Sequence, residues 1–423
     1  MKILISVAAW GDAYTDAFAN YSLASQLAPG NIAKCAQDHQ ITYQIITTRA
    51  DAERLRSHVA INALEGLCDV VWDHIEDYGY HAGRIPNGEA TAKYTFLSKM
   101  QNTAIRRSLA FDVLVFNYAD FIWADGSLTN AVTLMRDGID GVLAFALPVD
   151  ARSATKSLEA YRDGDARSAI NIPPRAAAAL AVDCLHREAR LRFWNGPKFS
   201  ERPTYLLWPV ADEGLIVRAY HQTVLTLRVR QNDPEYLRGI DRGTLDGFFS
   251  ARLVEKGSFL CASDSDEIFA FSLHDAEINT ALRCDQNREE ALRAYLENGI
   301  SAAQRHLAAI PISVRTREPH PQIWRQIAED SWRAIEPIHR TTTTDQSAFE
   351  AANAEVEGIS RAEIGWRSGV SPGGLAYFYL LIPLANGPVG RALKRILGKN
   401  RIRSVRLMLE RRLSGRNQPQ RQK

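Results

Sequence analysis

The sequence predicts an α/β fold in which a mostly parallel sheet is flanked by helices, and three observations predict it. Short apolar runs rich in β-branched residues recur through the first 150 residues, and segments with apolar positions at helical spacing lie between them. Strands separated by helices in this way form βαβ units, and those units build parallel sheets. The composition, 46% apolar and 24% charged over 423 residues, is ordinary for a globular chain, and the length predicts two or three structural units.

Taken in order, residues 2–9 (KILISVAA) read as a buried first strand, and 13–27 as a helix stopped by Pro29-Gly30. Residues 41–47 are a strand, 51–64 a helix, 69–75 a strand and 90–110 a long amphipathic helix. Strands follow at 111–116 (FDVLVF) and 141–149 (GVLAFALPV). The middle is mixed, with a helix over 174–193 and strands at 205–210, 215–229 and 267–273. From Arg288 onward the pattern is helical, over 289–309, 320–335 and 346–359. These spacings place a boundary near Asn279. They divide the chain into 1–279, a helical C-terminal region 280–372, and a tail 373–423.

Composition excludes several classes. The five cysteines, Cys35, Cys68, Cys184, Cys261 and Cys284, are scattered and form no CxxC pair, which argues against a zinc ribbon or disulfide scaffold and for a reducing compartment. The first residues lack the long apolar stretch of a signal peptide, and no run reaches the roughly 20 apolar residues of a membrane span. Residues 391–423 hold twelve Lys/Arg and one acidic residue, leaving 39 basic and 48 acidic residues in 1–390. An acidic body argues against nucleic acid as a partner. The tail places Leu393, Ile396, Leu397, Ile402, Val405, Leu409 and Leu413 at three- and four-residue spacings among Arg and Lys, after the apolar stretch 375–385. That pattern fits a basic amphipathic helix on an anionic membrane surface, or a helix packed on the acidic body. GxxxxGK[ST], a GxGxxG after the first strand, and GxSxG are all absent, which argues against a P-loop ATPase, a dinucleotide dehydrogenase and an α/β-hydrolase.

In open parallel sheets ligands bind beyond the carboxyl ends of the strands, so strand exits carry the chemistry. The most informative exit is 111–128, FDVLVFNYADFIWADGSL. A buried strand runs into Asn117, Tyr118, Ala119 and Asp120. Asp125-Gly126 then forms a turn, and Ser127 is placed to cap the helix 128–136. A carboxylate there suits a divalent cation bridging two phosphates.

This pattern resembles the GT-A glycosyltransferases, with a strand, an Asp-x-Asp, a short apolar segment and an Asp-Gly turn leading a helix. The opening KILISVAAWGDAYTDAFANYSLASQLAPGNIAK is similar to the start of bacterial glycosyltransferase-like proteins with a SLPSxLAPGN stretch. The resemblance covers roughly the first 280 residues. It implies a GT-A (Rossmann-like) sheet and a nucleotide-sugar donor, with Asp120 at the second acidic position and Tyr118 replacing the first. The diphosphate is then held through Mn2+ or Mg2+ at Asp120, or without metal by basic side chains. His274, at the exit of the last strand, resembles a further metal ligand. Asp246 (GTLDGFF) is the first choice for the base that deprotonates an acceptor, and Asp266, in the acidic pair Asp264-Ser265-Asp266, the second. Trp10, Thr48, Lys99, Asp120 and Asp125 are the donor-binding choices. The loop with His81 and Arg84 is a cover over the donor.

The expected function is sugar transfer from a nucleotide-sugar to a glycan or lipid-linked acceptor in surface polysaccharide synthesis, in the cytoplasm and peripherally on the inner face of the plasma membrane. The alternatives are a non-catalytic membrane-associated scaffold of the same fold, or a nucleotidyltransferase.

Overall fold

The strands of the first half are β1 (Lys2–Ala8), β2 (Gln40–Thr47), β3 (Asp69–His74), β4 (Val113–Tyr118), β5 (Phe121–Trp123), β6 (Gly141–Ala144) and β7 (Leu147–Asp150). Those of the second half are β8 (Tyr205–Val210), β9 (Gly214–Ala219), β10 (Thr223–Leu227), β11 (Phe259–Cys261), β12 (Ala270–His274) and β13 (Ile312–Arg315). The computed structural model describes residues 1–78, 90–135, 138–162, 169–229, 259–275, 284, 287–297 and 300–342. All of these lie within one compact unit, Met1–Glu350.

The fold is mixed α/β. A seven-stranded sheet of order β11-β6-β10-β4-β1-β2-β3 is flanked by helices and is parallel apart from β10, which runs antiparallel to both β4 and β6. β1 and β4 are buried along nearly their whole length, as central parallel strands must be. Their alternation divides the core. Ile3, Ile5 and Val7 pack with Phe18, Leu23 and Ile32 from the N-terminal helical segment, while Leu4, Leu114 and Phe116 pack with Met100, Ala104 and Ile105 from the helix Ala90–Ser108.

Two smaller sheets complete the unit, β5-β12-β7 and β13-β9-β8. The helices Arg288–Glu297 and Pro321–Thr341 bury Leu292, Leu296, Trp324, Ile335 and Ile338 against Trp208 and Ile216 of β8 and β9. Arg218 pins this layer. Its guanidinium is buried, donates to Ser331 Oγ at 3.0 Å and to the carbonyls of Ala309 and Ala328, and lies over the Trp332 ring.

Four expectations require correction. The run 141–149 is two strands, β6 in the large sheet and β7 in the β12 sheet. The run 215–229 is likewise β9 and β10, which belong to different sheets. An unbroken apolar run signals burial, and burial is the same on either side of a change of sheet. The region after Arg288 is not wholly helical, because Ile312–Arg315 forms β13 on β9. Ser127 does not cap its helix: Gly126, at φ 82°, is the capping position. The Ser127 hydroxyl accepts instead from the Phe269 amide at 3.0 Å.

Candidate functional site

From β1 the sheet grows through β2 to β3, then resumes on the other side of β1 at β4. Strand exits diverge at such a reversal and leave a crevice between them. A cleft of about 670 Å3 opens there. Ala8 and Trp10 line it from the β1 exit, and Asn117, Tyr118 and Asp120 from the β4 exit. Leu97, Met100, Gln101 and Ala104, one face of the helix Ala90–Ser108, form another wall. The opposite wall is the end of β12, with Ser272, His274 and Asp275. The Leu273 amide donates to the Asp120 carbonyl at 2.9 Å, so the β12 exit lies beside the β4 exit.

Three of the expected site residues, Trp10, Asp120 and His274, are therefore brought together in one cleft. Asp16, Asp275, Tyr14 and Tyr21 line it too, and none of these was singled out from the sequence. For Asp275 a signal existed, since it directly follows His274. Asp16 sits in the Asp12–Ala17 helix, where its spacing looks like any solvated face. Among the described lining residues the charged groups are aspartates, with Asp16 3.6 Å from Arg54; no Lys or Arg is among them.

His274 lines the cleft and is exposed to solvent, with the protein packed around its ring on the inner side. That packing, with His186 adding to it, lowers its pKa from 6.5 to about 4, so the ring is neutral at pH 7. Its Nε2 lies 3.0 Å from Ser272 Oγ, and its ring centroid 5.6 Å from that of His186. His186 Nδ1 accepts from the Glu188 amide at 3.3 Å, which assigns the proton to Nε2, facing the Asp275 carbonyl at 2.9 Å. A neutral imidazole has a lone pair for a metal or a proton. Among the described residues no group of three His, Cys, Asp or Glu gathers to hold an ion unaided.

A saturated polar network lies under the β4 exit. Asn117 donates to Tyr43 Oη at 3.1 Å and Ser22 Oγ at 3.3 Å, and accepts from Trp123 Nε1 at 3.0 Å. Tyr43 Oη donates to Gln26 Oε1 at 3.0 Å. Such networks specify one arrangement of the groups they join.

The remaining expectations fall elsewhere. Thr48 caps the helix Arg49–Arg56, accepting from the Asp51 amide at 2.9 Å and donating to its carboxylate at 2.8 Å. Asp51 in turn accepts from the Gly11 amide at 2.9 Å, which fixes the turn after Trp10. Gly11 stands at φ 77°, a conformation that favours glycine. Thr48 thus acts on the cleft through two intermediaries and does not line it. Asp125 accepts from the Gly30 amide at 2.6 Å and does not line the cleft either. Asp266 is bound to Arg175 at 3.0 and 3.1 Å and to Arg315 at 3.4 Å, a cluster that ties β13 to the approach of β12, away from the cleft. Lys99 belongs to the helix Ala90–Ser108, but its side chain is outside the described residues. Asp246, His81, Arg84 and the tail 373–423 also lie outside them.

No protein-family model matches the chain, and no curated protein matches it in sequence. Among solved structures it is similar to mouse xyloside xylosyltransferase 1 in the apo form, at 14% identity over 38% of this chain and 60% of that one, with a TM-score of 0.24. It thus spans less than two thirds of that protein. It is also similar to the mannosyltransferase PcManGT from Pyrobaculum calidifontis in complex with GDP-Man and Mn2+, at 12% identity over 92% of this chain and 82% of that one, with a TM-score of 0.28. Both neighbours are glycosyltransferases by name, and at such low overlap the functional reading rests on the cleft itself.

Proposed function

We propose that this chain transfers a sugar from a nucleotide-sugar donor to a glycan or lipid-linked acceptor. The observation that carries the reading is the position of Asp120, on the wall of the cleft at the β1/β4 reversal, beside His274. A nucleotide across this crevice meets the aromatic rings of Trp10 and Tyr14 on one side, and its diphosphate lies towards Asp120.

Charge decides how the diphosphate is held. Asp16, Asp120 and Asp275 repel an anion, and no described lining residue is Lys or Arg. A divalent cation, Mn2+ or Mg2+, reverses that sign. Asp120 and His274 would hold such an ion from the protein side, and it would arrive with the donor, because among the described residues no three ligating groups gather to bind it unaided. When bound, it neutralises the leaving diphosphate. The chain's own part is to hold Asp120 and the neutral His274 in place and to keep the reacting centre against the β12 wall. Asp246 remains the proposed base, because Asp266 is occupied by two arginines. Tyr118 in place of a first acid is compatible with an ion that takes one carboxylate here.

The tail 391–423 is proposed as a peripheral anchor on anionic lipid at the inner face of the plasma membrane, which suits a lipid-linked acceptor. Among the described residues no helix is long and apolar enough to cross a membrane. Loss of vesicle pelleting on deletion of 391–423 tests it; unchanged pelleting removes it.

The function is tested by screening hydrolysis of uridine, guanosine and cytidine diphospho-sugars with Mn2+ and Mg2+. Turnover that falls when Asp120 is replaced supports the reading. No turnover and no diphosphate-dependent thermal shift favours the scaffold alternative, and preference for triphosphates the nucleotidyltransferase.

A further inference from the structure

The segment 22–31, SLASQLAPGN, grips the loop that carries Asp120 at point after point. Ser22 Oγ donates to the Tyr118 carbonyl at 3.0 Å, two residues before Asp120. Ser25 Oγ accepts from the Trp123 amide at 3.0 Å, three residues after it. Asn31 donates to the Ala124 carbonyl at 3.2 Å and accepts from the Leu128 amide at 3.0 Å. Both serines are fully buried. Each hydroxyl both donates and accepts: Ser25 donates to the Ser22 carbonyl at 2.7 Å, and Ser22 accepts from Gln26 and Asn117 at 3.3 Å.

The helix that presents them is irregular at this point. Phe18–Ser22 is a π-helical turn between the α-helices Asp12–Ala17 and Leu23–Gln26. A π turn takes up one residue more than an α turn, so the chain beyond it is rotated by about 100° from its course in a continuous α-helix. That rotation brings the two hydroxyls to the ends of β4 and β5. π turns of this kind are frequent at functional sites.

We propose that Ser22 and Ser25, presented by the π turn Phe18–Ser22, are positioning residues for Asp120, bracketing its segment and fixing where its carboxylate enters the cleft. The inference rests on the transferase reading of that cleft. A serine kept only for packing is replaceable by alanine at no cost in rate. A positioning serine is not, because a misplacement of about 1 Å at a reacting centre costs up to 10²-fold.

The experiment compares Ser22→Ala and Ser25→Ala with the unaltered full-length protein, at a temperature where circular dichroism shows all to be folded. Donor hydrolysis is followed at saturating Mn2+. The expected result is a kcat about tenfold lower with the donor KM within about twofold. In the Asp120→Asn background the same serine changes should have less than about a twofold effect, because the group they position is gone. An unchanged kcat in both folded single variants, or an equal loss with and without Asp120, overturns the inference and leaves the transferase reading standing. If the unaltered protein turns over no sugar nucleotide, it is the functional reading that fails. The positioning claim is then decided by hydrogen exchange: faster exchange of the Trp123 amide in Ser25→Ala supports it, and unchanged exchange overturns it.

Discussion

The backbone amide of Gly30 donates to Oδ1 of Asp125 at 2.6 Å, across 95 residues of sequence, and so locks the first helical segment to the loop after β5. Thr129 Oγ1 returns the contact, donating to the Gly30 carbonyl at 2.7 Å. A Cβ on residue 30 would lie 2.7 Å from that Asp125 oxygen and 2.8 Å from the Gly126 amide nitrogen. Gly30→Ala must therefore push backbone aside, and a loss of about 1–3 kcal/mol is expected, read from the urea midpoint of unfolding.

Asn31→Ala tests the same joint by chemistry. It leaves the Leu128 amide without its partner, whereas the Ala124 and Ser25 carbonyls lose one bond each and keep the Ser127 and Ala28 amides. Each buried group left unpaired costs about 1–3 kcal/mol. The expected outcome is a loss of about 1–3 kcal/mol in chemical denaturation, with Asn31→Asp milder because it keeps the acceptor for Leu128.

Asp120→Asn keeps the shape of the side chain and removes its charge. Turnover of the preferred donor should fall about 10²–10³-fold while the thermal midpoint changes little. Paired assays of hydrolysis and melting in the same buffer check it. Wild-type turnover in the variant would contradict the proposed role.

Acid should weaken the layer of helices beyond β9. His339 Nε2 lies 2.7 Å from Tyr220 Oη. Burial first, then Arg305 and Arg218, lowers its pKa from 6.5 to about 4. A histidine held neutral in the fold takes up its proton more readily when unfolded. Its contribution is therefore complete above about pH 6.5 and is lost as pH falls towards 4, to the order of 1–3 kcal/mol. Unfolding midpoints measured between pH 7 and pH 4 should fall more steeply in the unaltered protein than in His339→Gln.

Arg218→Lys should also destabilise, although charge is conserved. Burial lowers the pKa of Arg218 to about 10, so it stays protonated at neutral pH, and among the described residues its hydrogen-bond partners are Ser331 and helix carbonyls. An ammonium cannot span those separate directions as a planar guanidinium does. A loss of about 1–3 kcal/mol is expected in urea titration, larger for Arg218→Ala.

The first strands of the fold were legible because β1, β2 and β3 are each followed by a helical segment before the next strand. The period of apolar residues switches between two and about 3.6, and the parallel order β3-β2-β1-β4 results. The second half was not. β9 and β10 are separated by three residues, the buried Tyr220 and Gln222 and the half-buried His221, and no exposed turn marks the change of sheet. The site divided in the same way. Asp120 could be read because a carboxylate directly follows a buried strand. Thr48 and Asp125 stand at similar strand and turn positions, yet their oxygens are occupied by the Asp51 amide and the Gly30 amide. Sequence position puts a polar atom near a strand exit, but whether it lines the cleft, as Asp120 does and Thr48 and Asp125 do not, is set by tertiary contacts the local sequence does not record. The serines at 22 and 25 stood in the recognised stretch 22–31, but their contacts could not be read from it, since they are to backbone distant in sequence.

The short link between β9 and β10 has a mechanical consequence. Tyr220 is bonded to His339 of the long C-terminal helix, and Thr223, three residues on, is part of the cleft lining. Three residues of chain reach at most about 11 Å, and these are buried or half-buried, with no slack to take up a displacement. The helix Pro321–Thr341 and the lining of the cleft are therefore joined by a stretch of chain too short and too buried to let either be placed without regard to the other.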